Sequence, residues 1–280
     1  MQRARANQIA ERSLWTRRKY TTTPLNMPIC PYVLSEAMGF DLRFVNIPSF
    51  EGMYVATNNL ILISSERPEG RKRFTCAHEI GHHVLGHGTV IDEILKAGSD
   101  KAVELEADLF AGLLLAPKVA VKGAIRRYGI QEKELTPLDA YVLSKYFGVS
   151  YSAFIHHIHH TLQLITPNHF QHLSKANTSL SKIREALTGF STGRQVIKVG
   201  AWWQEKAIDI EVGDMIVSDS DLQITGTHIL ETKKTNCLHL TAKAPGITKL
   251  ADKNGWCTLV KISKSKYSGM FQFKYEEEVE

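Results

Sequence analysis

The period of the apolar residues changes once along the chain, and that change limits the architecture more than any other feature. Before residue 188, long stretches repeat at helical spacing. From Gln195 onward, short runs such as AIDIEV, DMIVSD and LHLTAKA alternate between Gly, Asp and Asn punctuation. A repeat of 3.6 residues lays one stripe of a helix on a core, whereas a repeat of two lays one face of a strand on it. The expected fold class is therefore α+β, with an all-β C-terminal domain (a small sandwich or barrel) over residues 194–280. The Ser/Thr/Gly-rich stretch at 188–193 marks the boundary.

Within the first part, residues 1–40 read as helical with two Pro-containing breaks, and residues 40–47 as a strand. Residues 52–64 read as a hairpin turning at Asn58-Asn59, with a buried strand at 60–63. Helical spacing follows over 71–85, 101–115, 137–147 and 151–165. Gly148-Val149-Ser150 joins the last two, with Ser150 placed as N-cap, so residues 134–190 form a helical, helix-turn-helix-like segment.

Composition excludes several classes. With 43% hydrophobic and 22% charged residues the chain has the make-up of a globular protein, which excludes wholesale disorder. No apolar run is long enough to span a bilayer, and the first twenty residues lack the apolar block of a signal peptide, so the expected compartment is the cytoplasm. Cys30, Cys76, Cys237 and Cys257 are widely spaced without a CxxC pair, which reads as reduced thiols. The net charge of +5 sits entirely in residues 1–20, where Arg3, Arg5, Arg12, Arg17, Arg18 and Lys19 face Glu11 alone. That segment reads as a solvated helix face with Ile9, Leu14 and Trp15 as candidate buried positions. A nucleic-acid binder would show a basic face over a whole module.

The segment carrying chemistry is Phe74-Thr-Cys-Ala-His78-Glu79-Ile80-Gly81-His82-His83-Val-Leu-Gly-His87. His78 and His82 are four apart and share a helix face, which suits two imidazoles on one zinc ion. Glu79 lies about 100° round the helix, beside the metal's open position, where a general base belongs. Small Ala77 and Gly81 admit close neighbours. In the next helix Glu104 and Asp108 share a face, giving a third metal ligand and a carboxylate to hold the spare N–H of a ligand imidazole. Glu106 lies some 200° from Glu104 and is expected to face solvent. His83 and His87 fall off the ligand face, and local packing or capping after Gly86 is expected of them. Tyr54 and the histidines are the candidates for oxyanion stabilisation.

These two motifs, FTCAHEIGHHVLGH and ELEADLFAGLLLAP, resemble the ImmA/IrrE family of cytoplasmic zinc metallopeptidases over roughly residues 30–165. The resemblance implies a zincin-like metallopeptidase domain over residues 1–133. It implies His78, His82 and Glu104 as ligands of one Zn2+ and Glu79 as the catalytic acid/base. It also implies cleavage of a specific partner protein, commonly a helix-turn-helix repressor of a phage, mobile-element, defence or stress system. The function expected is a zinc-dependent endopeptidase acting on a repressor-like protein encoded nearby. The alternative is a non-proteolytic DNA-associated or antitoxin-like regulator with a structural metal.

The remaining features are subordinate. The strand near residues 60–64 is placed to hold substrate backbone by strand addition. The second helix of the pair offers Tyr151, Ser152, Phe154 and the histidines His156, His157, His159 and His160, a weak grip on phosphate that argues against DNA binding. The C-terminal β-domain matches no pattern of the family and is expected to regulate or to bind an unknown ligand or protein, with Trp202, Trp203 and Trp256 as core or edge aromatics. Purified protein should hold about one zinc per chain, and the His78→Ala/His82→Ala double variant should lose it. Elemental analysis checks this, and full occupancy in the double variant would refute the shared-face reading.

Overall fold

Helices dominate the first two thirds of the chain and strands the last third. The computed structural model describes residues 3–88, 90–91, 101–131, 134–203, 206–234 and 237–276. The helices are α1 (Arg3–Tyr20), α2 (Pro31–Ala37), α3 (Glu69–Leu85), α4 (Lys101–Leu115), α5 (Lys118–Arg127), α6 (Pro137–Phe147), α7 (Tyr151–His156), α8 (Pro167–Lys175) and α9 (Leu180–Thr188). The early strands are β1 (Asp41–Val45), β2 (Gly52–Val55), β3 (Leu60–Ser64) and β4 (Val90–Ile91). The later ones are β5 (Val196–Val199), β6 (Ile208–Glu211), β7 (Met215–Ser218), β8 (Gln223–Thr225), β9 (Ile229–Lys234), β10 (Cys237–Ala242), β11 (Gly246–Ala251), β12 (Cys257–Ser263) and β13 (Gly269–Met270). The protein is α+β. The expected boundary near 133 falls on residues outside those described.

The first sheet has the order β13-β1-β3-β2-β4. Asn59 takes the left-handed conformation (φ 48°) that Asn tolerates, and so turns the chain from β2 into β3. β3 pairs in parallel with β1 and antiparallel with β2, which explains its unbroken apolar run, Leu-Ile-Leu-Ile. Strand addition at β3 is thereby overturned, because both of its edges are already hydrogen-bonded. The two later sheets, β5-β7-β10-β9 and β6-β12-β11-β8, share one apolar core, to which Ile197, Ile216, Leu240, Leu250, Val260 and Trp203 contribute. Trp203 is fully buried, and Trp202 and Trp256 pack half-buried against the same core.

Two helical expectations need correction. In α1, Ile9 is buried but Trp15 is 52% exposed, and Arg17 is inside instead. The Arg17 guanidinium donates to the carbonyls of Leu114 (2.8 Å), Pro24 (3.3 Å) and Met27 (2.5 Å), closing the end of α4. Burial pushes its pKa down to about 10. The second change is at residues 151–165, which do not form one helix: α7 ends at His156 and a wider π-turn covers His157–Thr161. His157 is drawn inward, where its Nε2 donates to the Ala116 carbonyl (2.9 Å), and it lies where a Cβ on Gly112 would stand 2.7 Å from Nδ1. The turn between α6 and α7 is as expected, with Gly148 left-handed and the Ser150 hydroxyl accepting from the Ala153 N–H.

The two parts of the chain are joined through buried charge. β13 pairs with β1, so the C-terminal segment returns to the first sheet. Beside it, Lys274 donates to both oxygens of Glu69 (3.1 and 3.2 Å) at the start of α3. Lys72 bridges Glu69 (3.2 Å) and Glu211 of β6 (2.6 Å), and Arg73 pairs with Asp209 of β6 (2.5 Å). Burial alone would raise the Glu69 pKa, but Lys274, Lys72 and Arg73 overrule it and hold the carboxyl far below its ordinary 4.5. A depressed folded-state pKa stabilises the fold above the unfolded value, and that contribution is lost as pH falls below it. Urea unfolding should therefore show stability declining below pH 4.5. Glu69→Gln should remove about 3–5 kcal/mol at neutral pH and flatten that decline, because it leaves buried cations uncompensated.

Candidate metal centre

The centre is built where α3 crosses α4. Gly81 faces α4 so closely that a Cβ there would lie 3.1 Å from the Phe110 ring and 3.4 Å from the Ala107 backbone. That approach carries Glu104 to the two histidines presented one turn apart on α3. His78 Nε2 stands 2.9 Å from His82 Nε2 and 3.2 Å from Glu104 Oε2, and His82 Nε2 stands 3.8 Å from Glu104 Oε1. His78, His82 and Glu104 each offer an atom to a group spanning no more than 4.8 Å. His82 is fully buried and His78 nearly so.

The outer contacts assign the tautomers. His78 Nδ1 lies 2.9 Å from Asp108 Oδ1, and a carboxylate can only accept, so Nδ1 carries the proton and Nε2 the lone pair. On the other side, His87 Nε2 donates to Glu106 Oε2 (3.3 Å), which leaves His87 Nδ1 to accept from His82 Nδ1 (3.0 Å). His82 Nε2 is then also a lone pair. Three acceptors converge with no donor among them, and Glu104 Oε1 is buried without a hydrogen-bond partner among the described residues. A proton on one Nε2 would relieve the repulsion. However, burial first and His78 second push His82 down to about 3, so it holds a proton poorly at neutral pH.

A divalent cation satisfies all three acceptors at once. A tetrahedral ion with nitrogens at about 2.0–2.1 Å sets them roughly 3.3 Å apart, close to the separations here. The residues therefore fit a metal ion.

Glu79 follows His78 on α3, with β2 beside it. It is fully buried, and its Oε1 lies under β2, where a Cβ on Gly52 would come within 2.8 Å. Gly52 is a residue that sequence reasoning missed; only its being glycine could have signalled a close approach. The Tyr54 hydroxyl is held by His83 Nδ1 at 2.7 Å, and His83 packs edge-on against Phe40, the local packing expected of it.

Glu106 is the clearest correction. It does not face open solvent but forms an ion pair with Arg5 of α1 and accepts from His87. The reason is that Gly86, left-handed at φ 76°, ends α3 and lets the His87 N–H donate back to the His82 carbonyl (3.0 Å). A helical wheel cannot represent that reversal. Asp108 and Glu104 stand where helix spacing places them.

Residues 36–159 match the family described as the IrrE N-terminal-like domain, Peptidase M78. The radiation response metalloprotease IrrE of Deinococcus radiodurans is 30% identical over 105 residues, covering 36% of this chain and 32% of that protein. Its counterpart in Deinococcus deserti is 32% identical over 106 residues, covering 36% and 37%. The chain thus spans about a third of the length of these curated relatives.

Metal retention should rank the outer residues. Glu104→Gln is expected to weaken it most, since it removes a direct donor. His87→Ala and Glu106→Gln should each cost roughly 10–100-fold, the usual effect of losing a group that orients a ligand. Chelator competition on the purified variants measures this, and Glu106→Gln behaving as wild type would remove His87 and Glu106 from the centre.

Proposed function

We propose, from the match of residues 36–159 to the IrrE N-terminal-like family of M78 peptidases, that the protein is a zinc-dependent endopeptidase cutting a specific partner inside the cell. His78, His82 and Glu104 hold the ion, Asp108 and the His87–Glu106 pair orient the two imidazoles, and Glu79 is the general base. The observation that carries this reading is the convergence of three acceptors beside a buried carboxylate one residue from a ligand. When bound, zinc polarises the scissile carbonyl and lowers the pKa of its water. Glu79 takes the proton of the attacking water and returns it to the leaving nitrogen. Gly52 keeps room for that carboxylate against β2.

The substrate proposed is a repressor-like protein encoded nearby, in a phage, mobile-element, defence or stress-response setting. The stress setting is supported by the relatives named as radiation response metalloproteases. A cytoplasmic location suits such a substrate, and among the described residues no helix is long and apolar enough to cross a membrane. DNA reading by the α6–α7 pair is disfavoured, because Tyr151 and Phe154 at the start of α7 are buried and cannot reach bases. In this reading residues 1–133 are the catalytic domain, 134–190 a helical support, and 194–280 a regulatory or recognition domain that returns its last strand to the first sheet.

Glu79→Gln tests the chemistry. The amide matches the carboxylate in size, so metal content and fold should survive, while cleavage should fall by about 10²–10⁴-fold. Co-expression with the product of the adjacent gene, followed by a gel for a metal-dependent truncation, reads the result. A Glu79→Gln strain indistinguishable from wild type under conditions where a deletion has a phenotype would make the protein a binder.

A further inference from the structure

The joint between the two parts of the molecule contains a cavity that the peptidase reading leaves unused. Its volume is about 150 Å³, and its lining includes Cys30, Arg73, Lys206, Asp209, Lys261 and Tyr275. That is room for about five waters at roughly 30 Å³ each, far below a drug-sized pocket of about 300–1,000 Å³. Only a small ligand fits.

Three cations reach the cavity from three elements: Arg73 from α3, Lys206 from the segment before β6, and Lys261 from β12. One lining carboxylate opposes them, and it is already engaged. Asp209 accepts from Arg73 Nη1 at 2.5 Å and from the Tyr275 hydroxyl at 3.1 Å. Arg73 Nη1 also lies 4.0 Å from Glu69, so both carboxylates serve Arg73 and neither lysine has a carboxylate partner among the lining residues of the cavity. Arg73 is 3% exposed and its guanidinium lies over the Tyr32 ring, yet its Nε and Nη2 have no hydrogen-bond partner among the described residues. Buried donors in that state are costly and are normally satisfied by something. Lys206 donates to the Tyr146 carbonyl, and burial followed by the repulsion of Arg73 pushes its ammonium down to about 7, so it too gains from a counter-charge.

We propose that this cavity binds a small oxyanion, a phosphate-like or carboxylate group, held between Arg73, Lys206 and Lys261. Arg73 is five residues ahead of His78 on α3, and Lys206 and Lys261 belong to the β-rich part. An anion there ties the helix that carries the metal ligands to the domain behind it. Occupancy is thus a signal that reaches the centre through one rigid element.

The wall residue Cys30 supplies a local readout. Full-length protein is titrated with phosphate, sulfate or acetate, with chloride at matched ionic strength as reference, and alkylation by iodoacetamide is followed for each cysteine by peptide mass mapping. The oxyanion is expected to slow modification of half-buried Cys30 about tenfold at saturation and leave exposed Cys257 unaffected. It should also raise Tm above the chloride reference. A preference for phosphate and sulfate identifies a tetrahedral oxyanion, and a preference for acetate a carboxylate.

Lys261→Met and Lys206→Met should each weaken the apparent Kd by about tenfold or more, the effect of losing one charge-assisted contact. Lys261 is half-exposed on β12, so its variant carries the test if Lys206→Met proves unstable. Glu79→Gln should bind as wild type does, which separates this site from the peptidase reading. Equal Cys30 modification and equal Tm in all salts would overturn the proposal, as would protection that persists undiminished in Lys261→Met.

Discussion

With glycine at 81 and alanine at 107, α3 and α4 approach until the missing Cβ of Gly81 would stand 3.4 Å from the Ala107 backbone. Helix axes ordinarily pack about 8–10 Å apart, the separation being set by the side chains between them. Small residues at the crossing bring the ligand atoms of His78, His82 and Glu104 within 4.8 Å of one another. Any larger side chain at 81 would meet Phe110 and draw Glu104 away from His78 and His82. The candidate metal centre is thus a product of core packing, and its outer contacts to Asp108, His87 and Glu106 lie on the same two helices and the turn that follows α3.

The other end of α3 is held by charge. Glu69, Lys72 and Arg73 are buried against Lys274, Glu211 and Asp209. Desolvating this many ions offsets most of their mutual attraction, so such a network is a poor source of stability. What it imposes is register: each cation has a partner only if α3, β6 and the C-terminal segment meet in one arrangement. The helix bearing His78 and His82 is therefore positioned by small residues at one end and by the β-rich part at the other.

Local pattern determined a good deal by itself. The change of period near residue 190 separated helical from strand-rich structure, because periodicity reports which face of an element is buried. The i, i+4 spacing of His78 with His82 and of Glu104 with Asp108 placed both pairs on single faces, because a helix repeats every 3.6 residues regardless of what surrounds it. What failed were inferences carried past the end of an element or across the fold. His87 lies beyond Gly86, where the left-handed turn breaks the wheel, so its link to His82 and the capture of Glu106 by Arg5, 101 residues away, left no local trace. Arg17 looked like surface charge, but the carbonyls of Leu114, Pro24 and Met27 gave it enough acceptors to be buried. The hairpin strand β3 was legible as buried, yet not as central, because pairing with β1 joins segments that share no turn. The return of β13 to β1 and the cation-lined cavity at the joint are likewise decided only in three dimensions. They depend on which distant charges and strand edges meet, and a one-dimensional pattern records burial but not partners.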